Sequence, residues 1–144
     1  MQLPWYVTAL SAAIIWGIHY PLIDFAMKRL SVYSVLLISV IPIVLAIPLF
    51  TRQLGQDAEI FRMLPVNEQW MIAAIGATST LGAVLLYLSI NSKNATLASL
   101  IEITYPLFVV IFAYLFFRQL HLTPSVIVGG LMIMAGAGLI IYHN

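Results

Sequence analysis

Five apolar runs, each about as long as a helix needs to cross a bilayer, dominate this 144-residue sequence. A hydrocarbon core about 30 Å thick takes roughly 20 helical residues. The runs are Trp5 to about Met27, Val32 to Phe50, Trp70 to Ile90, Ala95 to Phe117 and Pro124 to about Tyr142. Short polar clusters separate them: Lys28-Arg29, Asn91-Ser92-Lys93-Asn94, and Arg118-Gln119-Leu120-His121 with Thr123-Pro124. The one long connection, Gln53 to Glu68, carries Asp57, Glu59, Arg62 and Glu68. Its Ile60, Phe61, Met63 and Leu64 allow either a short interfacial helix ended by Pro65 or a plain loop.

Composition agrees with lipid as the solvent. Hydrophobic residues make up 62% and charged residues 8%, and the mean hydropathy is +1.05, whereas soluble domains are about half apolar and a quarter charged. A transmembrane barrel would alternate apolar and polar residues over about ten positions. These runs do not alternate, and Leu107 to Phe117 is apolar on every face. The fold class is therefore an all-α integral membrane protein, a bundle of five transmembrane helices forming a single domain over residues 1–144. A net charge of +1 without a basic run offers nothing to nucleic acid, and the absence of cysteine removes disulfides, thiolate metal sites and cysteine nucleophiles. The amino terminus lacks the positive flank of a cleavable signal and reads as part of a retained first span. No cofactor is expected.

Helices in lipid approach closely where small residues line them. The third run carries Ala73, Gly76, Ala77, Thr80 and Ala83, and the fifth carries Gly129, Gly130, Ala135, Gly136, Ala137 and Gly138. Gly76, Thr80, Gly129 and Gly136 are the expected packing positions. Pro42 in the second run and Pro106 in the fourth are the expected kinks.

Trp16-Gly17 in the first run, Ala95-Thr96-Leu97-Ala98-Ser99-Leu100 leading to Pro106 in the fourth, and Gly129 with Gly136 in the fifth together resemble the EamA family of the drug/metabolite transporter superfamily. The resemblance covers nearly the whole chain. It implies one five-helix repeat of an inverted-repeat transporter fold, in a family whose typical members carry two such repeats in opposite orientations, and it implies transport of metabolites or related small compounds. Many members close the fourth span with Gly-Glu; here Arg118-Gln119 stands in that place.

Five spans put the termini on opposite sides. Arg52, Arg62 and Arg118 then lie on one face and Lys28, Arg29 and Lys93 on the other, so the positive-inside bias is nil. Insertion in both orientations and pairing as an antiparallel homodimer fits that balance. A separate half-size partner chain, or a single fixed orientation, fits an accidental tie.

An ionisable group inside a membrane helix costs several kcal/mol unless paired or solvated, roughly, and so marks function. Glu102 lies seven residues after Ala95, roughly 10 Å into its span. Four residues on, Pro106 lacks the N–H that would bond the Glu102 carbonyl. Tyr105, Ala98 and Ser99 fall on or near the same helical face. Glu102 is expected to bind a cationic or amino-bearing substrate, a coupling proton, or both in exchange; a structural hydrogen bond to another helix is the competing reading. Trp16, His19 and Tyr20 form an aromatic patch just before Pro21 that could wall a pocket for an organic cation or simply pack. Asp24 and Lys28, four residues apart, are placed to pair.

The expected function is small-molecule membrane transport by alternating access around a cavity lined by the first, third and fourth spans, in a bacterial inner membrane and as an oligomer. A non-transporting subunit that stabilises or regulates a partner is the alternative. No His-Glu-x-x-His, Gly-x-Ser-x-Gly or cysteine suggests an enzyme.

Overall fold

The computed structural model describes residues 4–119 and 122–143, and every regular element among them is helical. Helix α1 spans Trp5–Met27. Pro21 lies inside it without ending it, as membrane helices allow when neighbouring groups take over the freed carbonyl. After a turn at Lys28–Leu30, Ser31 caps α2 (Val32–Ala46), its Oγ accepting from the Ser34 N–H at 3.3 Å. Pro42 is likewise contained within α2.

The second apolar run does not stop at Phe50. A 3₁₀ turn at Ile47–Phe50, carrying Pro48 in its first two positions, passes directly into α3, Thr51–Met63. The polar connection is thus mostly helix: the plain loop is overturned, and the helix ended by Pro65 is present but starts earlier, at Thr51. The cause is local. Thr51 to Met63 contains no proline and is rich in Gln, Glu, Arg, Leu and Ala, and extending an existing helix avoids the cost of nucleating a new one. Pro65 does set the stop: Leu64 before it is extended, with φ −69° and ψ 152°, as a residue preceding proline prefers. The Gln69 amide Nε2 donates to the Leu64 carbonyl at 2.9 Å and ties the corner. Helix α4 then begins at Val66, four residues before the expected Trp70, and runs to Ser92.

Asn94 caps the next helix, its Oδ1 accepting from the Leu97 N–H at 2.8 Å. The fourth apolar run is two helices rather than one, α5 (Ala95–Glu102) and α6 (Tyr105–Phe117). Helix α6 closes on Arg118, left-handed at φ 55°. Arg118 N–H donates to the Tyr114 carbonyl at 3.0 Å, the bond of an αL cap, and Gln119 N–H to the Ala113 carbonyl at 3.2 Å. Helix α7 covers Pro124–His143. Leu120 and His121 lie outside the described residues.

Two compact units divide the chain. One holds residues 23–91; the other holds the chain up to Leu22 together with everything from Ser92. In the first, Ile23, Met27, Val35, Tyr87 and Ile90 are buried. Ser39 Oγ and Tyr87 Oη lie 2.9 Å apart and join α2 to α4, and Ser39 also donates to the Val35 carbonyl of its own helix. In the second unit α5 packs on α7, and the buried residues are small: Ala95 and Ala98 on α5, Gly130 and Ala137 on α7.

Within the chain, the close approach at a glycine of α7 is made by Gly130 to Leu107 of α6. A methyl group added at Gly130 would come within 2.7 Å of Leu107 Cδ2, whereas one added at Gly129, Gly136 or Gly76 would meet nothing within 4 Å in the chain. Gly130 and Ala137 keep the seven-residue spacing of Gly129 and Gly136 one position later, which moves the stripe about 100° around the helix. Thr80 Oγ1 donates to the Gly76 carbonyl on its own helix at 2.9 Å.

Candidate functional site

Glu102 is the last residue of α5, with the helix break at Ile103–Thr104 immediately after it. The chain tightens there into three-residue spacing: Thr104 N–H donates to the Ile101 carbonyl and Leu107 N–H to the Thr104 carbonyl, both at 3.1 Å. Thr104 Oγ1 donates to the same Ile101 carbonyl at 2.9 Å. Pro106 occupies the first turn of α6, where a missing N–H costs least. The proline that frees the Glu102 carbonyl therefore also opens the next helix.

Against this break stands the middle of α1. Tyr20 Oη donates to Glu102 Oε2 at 2.7 Å across 82 residues of sequence, and the contact is half-buried. Trp16, one turn earlier, is tilted against the Tyr20 ring with centroids 5.5 Å apart, and His19 meets the Trp16 ring edge-on at 5.2 Å. The His19 and Tyr20 centroids are 6.3 Å apart. Four side chains selected from the sequence are thus linked: Trp16 and His19 pack with the Tyr20 ring, and Tyr20 reaches the Glu102 carboxylate. His19, Tyr20 and Glu102 are half-buried, while Trp16 is 51% exposed.

Tyr105 does not share this arrangement. It is 58% exposed at the start of α6, because the break between it and Glu102 ends the helical register that would put both on one face. Ala98 is buried against α7 rather than opening a cavity. Asp24 is half-buried and Lys28 exposed, and no ion pair joins them in the structure. Among the described residues no three His, Asp or Glu side chains come together as a metal site would require.

Two features escaped sequence reasoning. One is the Ser39–Tyr87 pair, whose only signal was a hydroxyl near the centre of an otherwise apolar run. The other is a cleft of about 370 Å³ beside the α1–α2 turn, which depends on how two helices meet.

Among the described residues, five helical segments are long and apolar enough to cross a membrane: 5–27, 32–63, 66–92, 95–117 and 124–143, the second and fourth each running through an irregular turn. At most 6% of the apolar window of each is buried within the chain, as expected of helices whose surfaces face lipid or other helices. Such a chain is an integral, multi-pass membrane protein. It belongs to the EamA-like transporter family, whose sequence profile matches residues 3–142. That family lies in the drug/metabolite transporter superfamily, so membrane transport of small molecules is the class of activity. No curated protein and no solved structure matches the chain.

Proposed function

We propose that the chain transports small amino-bearing or cationic molecules across a bacterial inner membrane, using Glu102 as the exchange site. The observation that carries this reading is the Tyr20–Glu102 hydrogen bond at 2.7 Å, made by a tyrosine whose ring packs with Trp16 and His19. A carboxylate held by an aromatic cluster combines negative charge with quadrupoles that attract cations, the acceptors an ammonium group needs. A substrate ammonium competes with the Tyr20 hydroxyl for Oε2, and a proton competes with the substrate for the carboxylate. Occupancy by one and then the other, with the site open to alternate sides, gives exchange transport.

The working unit in this proposal is an antiparallel homodimer. The balanced basic residues on the two faces support it, as do Gly76, Thr80 and Gly136, small residues left exposed by their own chain, and Gly129, where an added β-carbon meets nothing within 4 Å. Reporter fusions at the carboxyl terminus test the orientation: signal from both sides of the membrane is expected, and signal from one side only removes dual insertion.

Transport is tested with purified chain in vesicles carrying an inward or outward proton gradient and supplied with primary-amine and quaternary-ammonium tracers. Gradient-driven uptake is expected, and Glu102→Gln is expected to abolish it while still inserting. Retained uptake with unchanged pH dependence in Glu102→Gln removes the role given to Glu102. Uptake that appears only when a second membrane protein is added supports the alternative of a regulatory or stabilising subunit, for which the same uncovered small-residue faces would be the interface.

A further inference from the structure

The turn joining α1 to α2 and the last turns of α4 bound the cleft of about 370 Å³ lined chiefly by Leu30, Ser31, Tyr33, Val84, Leu88 and Asn91. All of these residues belong to one compact unit, residues 23–91. The lining is graded. Val84 and Leu88, one turn apart on α4, give an apolar wall, while Ser31 and Asn91 bring a hydroxyl and an amide to the end where α1 finishes, α2 begins and α4 finishes. Val84 to Asn91 covers seven residues, roughly 10 Å along the axis. With these helices crossing the bilayer, the cleft therefore runs from the interface into the depth occupied by acyl chains.

Its rim is basic. Lys28 and Arg29 directly precede Leu30, and both are exposed. The Arg29 guanidinium sits over the Phe25 ring at 5.4 Å from its centroid, which holds that charge close to the helix end. Asp24, half-buried one turn back on α1, is the nearest acid along the chain. Asp57 and Glu59 on α3 lie beyond the far end of α2, and Glu68 lies in the first turn of α4.

We infer that this cleft binds one anionic phospholipid, with an acyl chain along Val84 and Leu88 and the phosphate beside Ser31, Asn91 and the basic pair. The apolar wall calls for an amphiphile, the polar rim sets its depth, and two cations favour a net negative headgroup over a zwitterionic one. A free phosphate gains nothing from the wall. An apolar helix in the cleft leaves both cations without a counter-charge. The site shares no residue with Trp16, His19, Tyr20 and Glu102, so it stands or falls apart from the transport proposal.

The test uses the full chain in detergent, equilibrated with phosphatidylglycerol or with phosphatidylcholine of the same acyl chains, the bound lipid being counted by native mass spectrometry. One phosphatidylglycerol is expected to bind, about tenfold more tightly than phosphatidylcholine. The double variant Lys28→Gln, Arg29→Gln is expected to bring both lipids to the same level, and Leu88→Trp to weaken both by filling the wall. Arg118→Gln, outside the cleft, keeps the preference. Equal binding of the two lipids by the unmodified chain overturns the inference without any variant being needed. So does an unchanged preference in the double variant, an equal loss in Arg118→Gln, or complete displacement of the lipid by glycerol phosphate.

Discussion

Tyr20 Oη stands 2.7 Å from Glu102 Oε2, and this one bond ties the middle of the first helix to the point where the fourth apolar run breaks. An ionisable side chain roughly 10 Å inside a span needs such a partner. The bond satisfies one carboxylate oxygen without enclosing the group, since both residues are half-buried. Structural and functional readings of Glu102 are therefore compatible: in the proposed exchange, the hydroxyl that satisfies the resting site is also the group a substrate would displace.

The pair should be energetically coupled. A hydrogen bond to a charged group contributes about 1.5–3 kcal/mol when well buried, and partial exposure brings the expected coupling nearer 1 kcal/mol. Tyr20→Phe, Glu102→Gln and the double variant, unfolded in denaturant from detergent micelles, should give a double variant less destabilised than the sum by about that amount. Additivity within about 0.3 kcal/mol would show that the two side chains do not depend on each other.

Much of this was legible in the chain itself. Apolar run length marked the five crossings, because the bilayer imposes a length that few other environments require, and an acid beside a proline marked Glu102. Spacing of three and four residues correctly grouped Trp16, His19 and Tyr20. It failed for Tyr105, because that argument assumes an unbroken helix between 102 and 105, and the proline that made Glu102 conspicuous also broke the register. Thr51–Met63 was obscured for a different reason: polarity reports solvent, not conformation, and a polar segment of good helix formers extends the helix before it. The contact between Tyr20 and Glu102 depends on which helices become neighbours, which no local pattern encodes.

Gly130 and Gly138 should respond oppositely to added bulk. A β-carbon at Gly138 meets nothing within 4 Å, so Gly138→Ala should gain the usual helix-propensity benefit of roughly 0.5–1 kcal/mol. At Gly130 the obstacle is the tip of Leu107, 2.7 Å away, which can turn aside for a methyl group but not for a branched side chain. Gly130→Ala should therefore be nearly neutral and Gly130→Ile should cost about 1–3 kcal/mol. Denaturation midpoints of the three variants check this, and equal tolerance of isoleucine at 130 and alanine at 138 would contradict the packing of α6 on α7.

Arg118 carries two opposing effects. Its left-handed backbone, φ 55°, costs a non-glycine residue about 1 kcal/mol, while its guanidinium lies 5.4 Å from the Tyr114 ring centroid, a contact that contributes about 0.5–1 kcal/mol at an exposed site. Arg118→Gly removes both and should be close to neutral. Arg118→Ala keeps the backbone cost and loses the ring contact, so it should be destabilised by about 0.5–1 kcal/mol. Unfolding free energies of the two variants separate these cases, and equal stability would show that the backbone conformation carries no cost.

The uncovered face of α4 gives the dimer proposal its sharpest test. The sequence contains no cysteine, so a single introduced thiol cannot cross-link within its own chain, and a product of twice the chain mass reports a second copy. A two-fold axis brings a residue against its own symmetry mate only close to the axis, and a disulfide needs β-carbons about 3.5–4.5 Å apart. Gly76→Cys and Thr80→Cys, one helical turn apart on the small-residue face, are expected to bracket that axis, so that at least one gives an oxidant-dependent dimer in native membranes. Ala98→Cys, at a position 4% exposed between α5 and α7, is expected to stay monomeric under the same oxidant. Dimer formation by Ala98→Cys alone, with neither α4 variant reacting, would move the interface away from α4. It would leave Gly76 and Thr80 facing lipid.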